Sequence, residues 1–231
     1  MVVICLYVDD MLIIRSDLEI VISTKKFLSA QFSMKDLRTT DMILEIKIIY
    51  SEEGIGLSQS HYVERMLRKY GYNDFPELSV SYDYNKKLQP NTGRPVEQLR
   101  YSKIIRSLMY TMSYIRPNIA FVVGILSRFT SNPGKLHWDV VQRLMRYLKG
   151  TIGLGLFYTG YPAIIEGYSD ASWCSELDEC RSSGGFIFTM GGAAVSWKSK
   201  KQTMIAQSSM ESEFFALCAT KDEAEWLSYF L

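Results

Sequence analysis

The N-terminal run Val2-Val3-Ile4-Cys5-Leu6-Tyr7-Val8-Asp9-Asp10-Met11-Leu12-Ile13-Ile14 constrains this chain more than any other stretch. Two short apolar runs rich in β-branched residues flank a pair of adjacent aspartates. That pattern predicts two strands joined at the carboxylates. A tight hairpin favours Asn-Gly or Asp-Gly at its connection, because the turn needs positive φ. Asp9-Asp10 supplies no glycine and sets two like charges side by side, which costs stability unless something compensates. A divalent cation reverses the sign of that cost, since hard cations favour clustered carboxylate oxygens. The plainer reading of the same residues is a polar turn between two core strands.

At 231 residues, 47% of them hydrophobic, the chain is long enough for one or two domains with real cores. No apolar run approaches the ~20 residues of a membrane span. Met1 leads straight into a strand-like run with no basic segment ahead of it, so neither a signal peptide nor a membrane partner is expected. The cysteines Cys5, Cys174, Cys180 and Cys218 form no C-x-x-C pair, and there are two histidines. A zinc site is therefore not expected, and reduced intracellular thiols are.

Net charge is +1, but the cations are not spread evenly. Between Arg100 and Gly150, Arg100, Lys103, Arg106, Arg116, Arg128, Lys135, Arg143, Arg146 and Lys149 stand against one acid, Asp139. Tyrosines and a tryptophan are interleaved. This is the electrostatic footprint of a nucleic-acid surface, and it is equally the pattern of a solvated helical face.

Ser16-Asp17-Leu18-Glu19 has the spacing of a capping box and predicts a helix over 17–32. Residues 42–50 read as one strand, 51–54 as a turn and 55–59 as its partner strand. Ser60 is placed to cap a helix on which Tyr62, Val63, Met66, Leu67 and Tyr70 recur until Gly71. Residues 73–98 hold Pro76, Pro90 and Pro95 without periodicity and read as a linker. Helical patterns then cover 99–115, 117–129 and a third segment that closes at Gly150, broken at Arg116-Pro117 and at Asn132-Pro133-Gly134. Strands are expected at 152–158, 163–169, 184–190 and 194–197. Ser208-Ser209-Met210-Glu211 forms a second capping box, opening a helix to the end. Strand, strand, strand, helix is the opening of an α/β domain that here looks cut short.

Asp170 follows the strand expected at 163–169, where a carboxylate is either a metal ligand or a simple turn initiator. The last helix offers two glutamates. Glu211 stands three residues after Ser208 and serves the capping box. Glu213 falls within ~60° of Met210, Ala216 and Leu217 on a helical wheel, so it is expected to face the core. A carboxylate there needs a cation or hydrogen bonds, which makes Glu213 the better ligand candidate beside Asp170.

Taken together these residues resemble the copia-type retrotransposon Pol polyproteins, in which reverse transcriptase is followed by ribonuclease H. The resemblance is carried by Tyr7-Val8-Asp9-Asp10, Phe32-Ser33-Met34-Lys35-Asp36-Leu37, Gly56-Leu57-Ser58-Gln59 with Tyr62, Ser107-Leu108-Met109-Tyr110, Arg116-Pro117-Asn118-Ile119, and Leu126-Ser127-Arg128-Phe129. It continues through Asn132-Pro133, His137-Trp138, Arg146-Tyr147-Leu148-Lys149-Gly150-Thr151, Gly167-Tyr168-Ser169-Asp170-Ala171, Arg181-Ser182-Ser183-Gly184-Gly185, Ser196 to Gln202 and Ser208 to Leu217. It implies a mixed α+β and α/β fold: 1–72 a truncated palm with the start of the thumb, 73–99 a linker, 100–160 a helical thumb or connection, and 161–231 part of a ribonuclease H-like domain. It implies RNA-directed DNA polymerase and hybrid-cleaving chemistry with two Mg2+ or Mn2+ ions. Asp9, Asp10, Asp170 and Glu213 are the implied catalytic and metal residues, with Asp9 the direct palm ligand. Template–primer or RNA–DNA hybrid and deoxynucleotides are the implied partners, in a cytoplasmic particle or the nucleus. Arg116, Arg128, Arg143, Arg146, Lys149, Lys198, Lys200 and Lys201 are the implied phosphate contacts.

The departures count as well. The resemblance implies a further palm aspartate before the first strand and a further ribonuclease H aspartate after the last helix. Neither lies within these residues, so the chain reads as a fragment of a polyprotein, inactive without its upstream and downstream parts. A non-catalytic basic nucleic-acid-binding remnant of a decayed element is the alternative. Arg38, Glu45 and Arg106 stand where the resembling proteins usually carry glycine, and each is expected to strain its backbone.

Overall fold

The computed structural model describes residues 2–86, 88–160, 164–174 and 181–230. Helices and strands are mixed in the α+β manner, in two compact units, Met1–Thr40 and Asp41–Leu231. The stretch 73–99, expected as a linker, is not where the units divide.

The first unit is a hairpin and a helix. Strand β1 (Val3–Tyr7) runs antiparallel to β2 (Asp10–Ile14), with Tyr7 opposite Asp10. Helix α1 (Leu18–Gln31) follows. Its cap is Asp17, whose carboxylate accepts the Glu19 N–H at 2.9 Å, one residue later than the box expected at Ser16. Asp caps as well as Ser, so the choice fell to whichever residue adopted extended backbone before the first turn. Lys25 donates to Asp36 at 2.8 Å, and that bond is the main reason the Asp36 carboxyl lies below its ordinary range. No described residue of this unit is buried, and Leu6, Val8, Leu18, Phe27 and Leu37 are each at least 67% exposed.

The second unit opens with β3 (Met42–Ile43), β4 (Ile46–Tyr50) and β5 (Gly54–Ser58), then α2 (Ser60–Tyr70). The single strand expected over 42–50 is in fact two. Ile43 pairs with Ile46, so Leu44 and Glu45 form a two-residue turn, with φ of 50° and 58°. Positive φ at both central positions is the pattern of a type I′ hairpin turn, which normally uses Asn-Gly. Both Arg38 (φ 66°) and Glu45 thus take the left-handed backbone that a family glycine would take, whereas Arg106 lies in a helix that asks for none. The turn is held from outside: the Tyr110 hydroxyl donates to the Leu44 carbonyl, and Arg65 meets Glu45 at 2.8 Å.

Helix α3 (Gln98–Tyr114), a 3-10 turn at Pro117–Ile119, α4 (Ala120–Ser127) and α5 (Lys135–Gly150) follow. The helix expected over 117–129 is therefore a 3-10 turn followed by a shorter α-helix. Tyr101, Ile104, Leu108, Leu126, Leu144 and Leu148 are fully buried among Val63 and Leu67 of α2. Each such aliphatic side chain contributes roughly 1.5–3 kcal/mol by leaving water. Within the described residues of the 73–97 stretch, Tyr82 is buried in this core and the Val96 N–H donates to the Pro133 carbonyl at 2.8 Å.

Strand β6 (Leu156–Thr159) returns to pair antiparallel with β5, closing a sheet of order β3-β4-β5-β6. A separate antiparallel sheet holds β7 (Glu166–Ser172), β8 (Ser183–Met190) and β9 (Ala193–Lys201) in that order, and α6 (Ser209–Phe230) packs against β7 and β8. Of the strand expected over 163–169, Ala163 lies outside the described residues.

Two measurements test this reading. Restoring glycine at position 45 relieves a left-handed residue, at roughly 1–2 kcal/mol, and gives up one exposed ion pair, at about 0–1 kcal/mol. Glu45→Gly is expected to raise unfolding stability by about 1 kcal/mol in urea titration, and a loss of stability would contradict the strain argument. His137 is the second case. The Gly134 N–H donates to its Nδ1 at 2.9 Å, and the Phe129 ring stacks on it at 4.1 Å. Burial pushes this imidazole down from 6.5, against a smaller opposing pull from the Gln89 backbone. The neutral ring is the folded form, so its contribution is full above pH 6.5 and is lost as pH falls below it. Thermal melts from pH 8 to 5 should show that loss, and His137→Gln should flatten it.

Candidate functional site

The β1–β2 hairpin presents its carboxylates at an exposed tip. With Tyr7 opposite Asp10, the two turn residues are Val8 and Asp9, and Asp10 opens β2. Asp9 and Asp10 are both exposed. Val8 takes φ of 52° and is 88% exposed. A β-branched residue in the left-handed region is an outlier that costs on the order of 1–3 kcal/mol. The missing glycine was visible in the sequence, and the positive φ it would have taken falls on the valine. The geometry holds two hard oxygen donors beside each other in solvent, which suits an oxygen-coordinated cation in kind.

Asp170 and Glu213 are brought into one domain by β7 and α6. Asp170 pairs with Gly185. The adjacent Gly184 is the close-approach point for the helix: a Cβ there would stand 3.2 Å from the Ala216 side chain. Successive strand residues alternate faces, so α6 covers the face of Gly184 and Ala171, and Asp170 lies on the other. Glu213 is exposed rather than core-facing. The buried line of α6 is Ser212, Ala216, Thr220 and Leu227, while Met210 and Leu217 are 73% and 56% exposed. A helical wheel aligned on the large apolar residues turns Glu213 inward, but close approach at a glycine selects small residues instead. Glu211 does cap: Ser208 Oγ accepts its N–H at 3.2 Å, and its carboxylate accepts the Gln207 N–H at 2.7 Å. Glu223, which no motif marked, accepts the Ser196 hydroxyl at 2.6 Å and ties helix to sheet. Among the described residues, no three histidine, cysteine, aspartate or glutamate side chains come together as a metal-holding group. Cys174 is disulfide-bonded, against the expectation of reduced thiols, while Cys5 and Cys218 are free and exposed. Proximity in the fold decides a disulfide, and spacing in the sequence does not reveal it.

The basic residues divide by what their side chains touch. Arg116 is 2% exposed and donates to the carbonyl and hydroxyl of Thr151, the residue that ends α5. Burial lowers its pKa from the ordinary guanidinium value. It is not a phosphate contact: the chain turns inward at Arg116-Pro117, and the fork of N–H donors satisfies carbonyls that the helix end leaves open. Arg146 Nε donates to the Pro76 carbonyl at 2.7 Å and Lys149 to the Phe75 carbonyl at 3.0 Å. Both fasten residues 75–76 to α5. Arg128 is half-buried, and burial pushes its guanidinium down. Arg143 is half-buried and lines a groove with Asp83 and Asp139. Lys198 and Lys200 on β9 are exposed, and Lys201 is half-buried.

A family model described as reverse transcriptase (RNA-dependent DNA polymerase) matches residues 1–80. The chain is 39% identical over 239 aligned residues to the retrovirus-related Pol polyprotein from transposon TNT 1-94 of Nicotiana tabacum, an alignment covering all of this chain and 18% of that protein. It is 40% identical over 134 residues to secreted RxLR effector protein 161 of Plasmopara viticola, covering 58% of this chain and 94% of the other. It is 31% identical to a putative transposon Ty5-1 protein of Saccharomyces cerevisiae, covering 94% and 72%. The chain thus spans less than a fifth of the tobacco polyprotein. No solved structure matches it.

The Arg116 clamp is testable. Arg116→Ala removes charge-assisted hydrogen bonds from a buried site, and each is worth about 1.5–3 kcal/mol. We expect a loss of at least about 2 kcal/mol in chemical unfolding.

Proposed function

Because the chain belongs to the copia-type retrotransposon Pol polyproteins, we propose that it is the reverse transcriptase palm hairpin, the helical region after it and part of a ribonuclease H-like domain. The observation that carries this reading is the Tyr7-Val8-Asp9-Asp10 turn, within the residues matched to reverse transcriptase, exposing both carboxylates over a strained Val8. In this reading the substrates are a template–primer or RNA–DNA hybrid and deoxynucleotides, and the setting is a cytoplasmic particle or the nucleus.

The donor sets fit Mg2+ or Mn2+ in kind. Asp9 and Asp10 at the hairpin turn would hold such ions, with water and substrate phosphate oxygens completing the coordination. Asp170 and Glu213 do not share a face, since Asp170 lies on the side of the sheet away from α6 and Glu213 is exposed on that helix. When bound, paired ions activate an attacking oxygen and stabilise a leaving one. The chain's own contribution is positional. The hairpin pairing holds Asp9 and Asp10 at the turn, and the ladder from Asp170 to Gly185 holds the other carboxylate on a strand. With Asp9 and Asp10 paired at the hairpin, Asp170 and Glu213 apart on β7 and α6, and no metal-holding group of three such donors among the described residues, the 231 residues alone are proposed to bind nucleic acid without turnover.

Purified chain is expected to show neither primer extension nor hybrid cleavage in Mg2+ or Mn2+. Extension abolished by Asp9→Ala, or cleavage abolished by Asp170→Ala, would overturn that. Hybrid-duplex binding should weaken as salt rises. Lys198→Ala with Lys200→Ala should lower its log–log salt slope by about one for each phosphate that is no longer neutralised. Asp9→Ala should leave the slope as it is.

A further inference from the structure

Helix α6 carries exposed large apolar residues beyond the line that packs on the sheet. Its inner line, Ser212, Ala216, Thr220 and Leu227, packs on the sheet. On a neighbouring side, about a third of a turn round, Met210, Phe214 and Leu217 are 73%, 58% and 56% exposed. They stand at i, i+4 and i+7, so they form one stripe about two turns long. That spacing of large side chains is the spacing with which one helix anchors on another. Methionine and phenylalanine there add contact area that adapts to a partner's shape.

The charge around the stripe selects what can cover it. Stepping ~100° per residue, Glu213 borders the stripe on one side, and Glu225, with Glu211 further round, borders it on the other. Lys221 lies in line with the stripe and is taken by Glu225 at 3.0 Å. The helix holds no other lysine or arginine. An apolar line with an acidic border on both sides repels a second copy of itself and an anionic membrane alike. It is complementary to an amphipathic helix that carries lysine or arginine on either side of its own apolar line.

We propose that the outer face of α6 is a docking surface for a basic amphipathic helix of a partner protein. The inference does not depend on either carboxylate pair being catalytic.

The test uses the full 231-residue chain and a synthetic helix of about five turns, with leucine at the spacing of one apolar face and lysine elsewhere. Its mirror in charge, with glutamate for lysine, is the control. Fluorescence anisotropy should show saturable one-to-one binding of the lysine peptide, and at least tenfold weaker binding of the glutamate peptide. Phe214→Ser with Leu217→Ser should weaken the lysine peptide at least tenfold. Both residues are exposed, so circular dichroism and melting should be unchanged. Glu225→Lys, at an exposed border position, should weaken it severalfold without touching the apolar line. Equal binding by wild type and the serine variant would overturn the proposal. So would concentration-dependent dimerisation in sedimentation that the serine variant abolishes, which would assign the face to a second copy. Binding to phosphatidylserine vesicles with an affinity equal to that for the peptide would overturn it too.

Discussion

The residues from Asp41 onward hang on one helical core. Tyr101 sits at its centre, fully buried, and its hydroxyl donates to the Leu126 carbonyl at 2.8 Å. A ring of that size is tolerated there because its one polar atom is satisfied, and burial pushes the phenol well above its ordinary range. Around it α3, α4 and α5 bury the leucines and isoleucines that supply most of the driving force. Polar bonds help fasten the outlying parts to this core. Trp197 of β9 donates to the Met112 carbonyl at 2.9 Å, and Tyr110 reaches the turn at Leu44.

The same core explains the positive charge of its helices. A segment with that excess of cations reads as a nucleic-acid surface, yet much of the charge is turned toward backbone oxygen. Arg100 donates to the Tyr70 carbonyl at 3.3 Å and lies over Trp138, Arg116 closes the end of α5, and Arg146 and Lys149 hold residues 75–76. Helix ends and extended segments leave carbonyls without intrahelical partners, and a long cationic side chain is a flexible donor that can reach them. The exposed lysines of β9 are the cations left facing solvent on that strand.

Among the described residues, left-handed backbone without glycine falls at Val8, Arg38, the pair Leu44-Glu45 and Cys174. At Leu44-Glu45 the surrounding structure holds the conformation from outside, through Tyr110 and Arg65. At Arg38 the backbone N–H donates to the Asp36 carboxylate at 2.8 Å and holds the turn locally. At Val8 the constraint is the strand register itself, since Tyr7 pairs with Asp10 and leaves two residues to reverse the chain. Each is a place where side-chain identity gave way to backbone geometry.

Element types were legible because they follow from local periodicity: the hairpin at Asp9-Asp10, the helix from Ser60 to Gly71, the three helical segments around residues 98–150 and the Ser208 cap all needed only neighbours in sequence. Family membership was legible for the same reason, being carried by strings such as Tyr7-Val8-Asp9-Asp10. What sequence left undecided depended on distant partners. The turn at Leu44-Glu45 is invisible inside an apolar run until β4 is seen folding back on β3. The burial of Arg116 depends on Thr151, 35 residues away. The face that α6 turns inward was decided by a glycine on β8, because helix–sheet distance is set by the smallest side chains at the contact and not by the most hydrophobic ones.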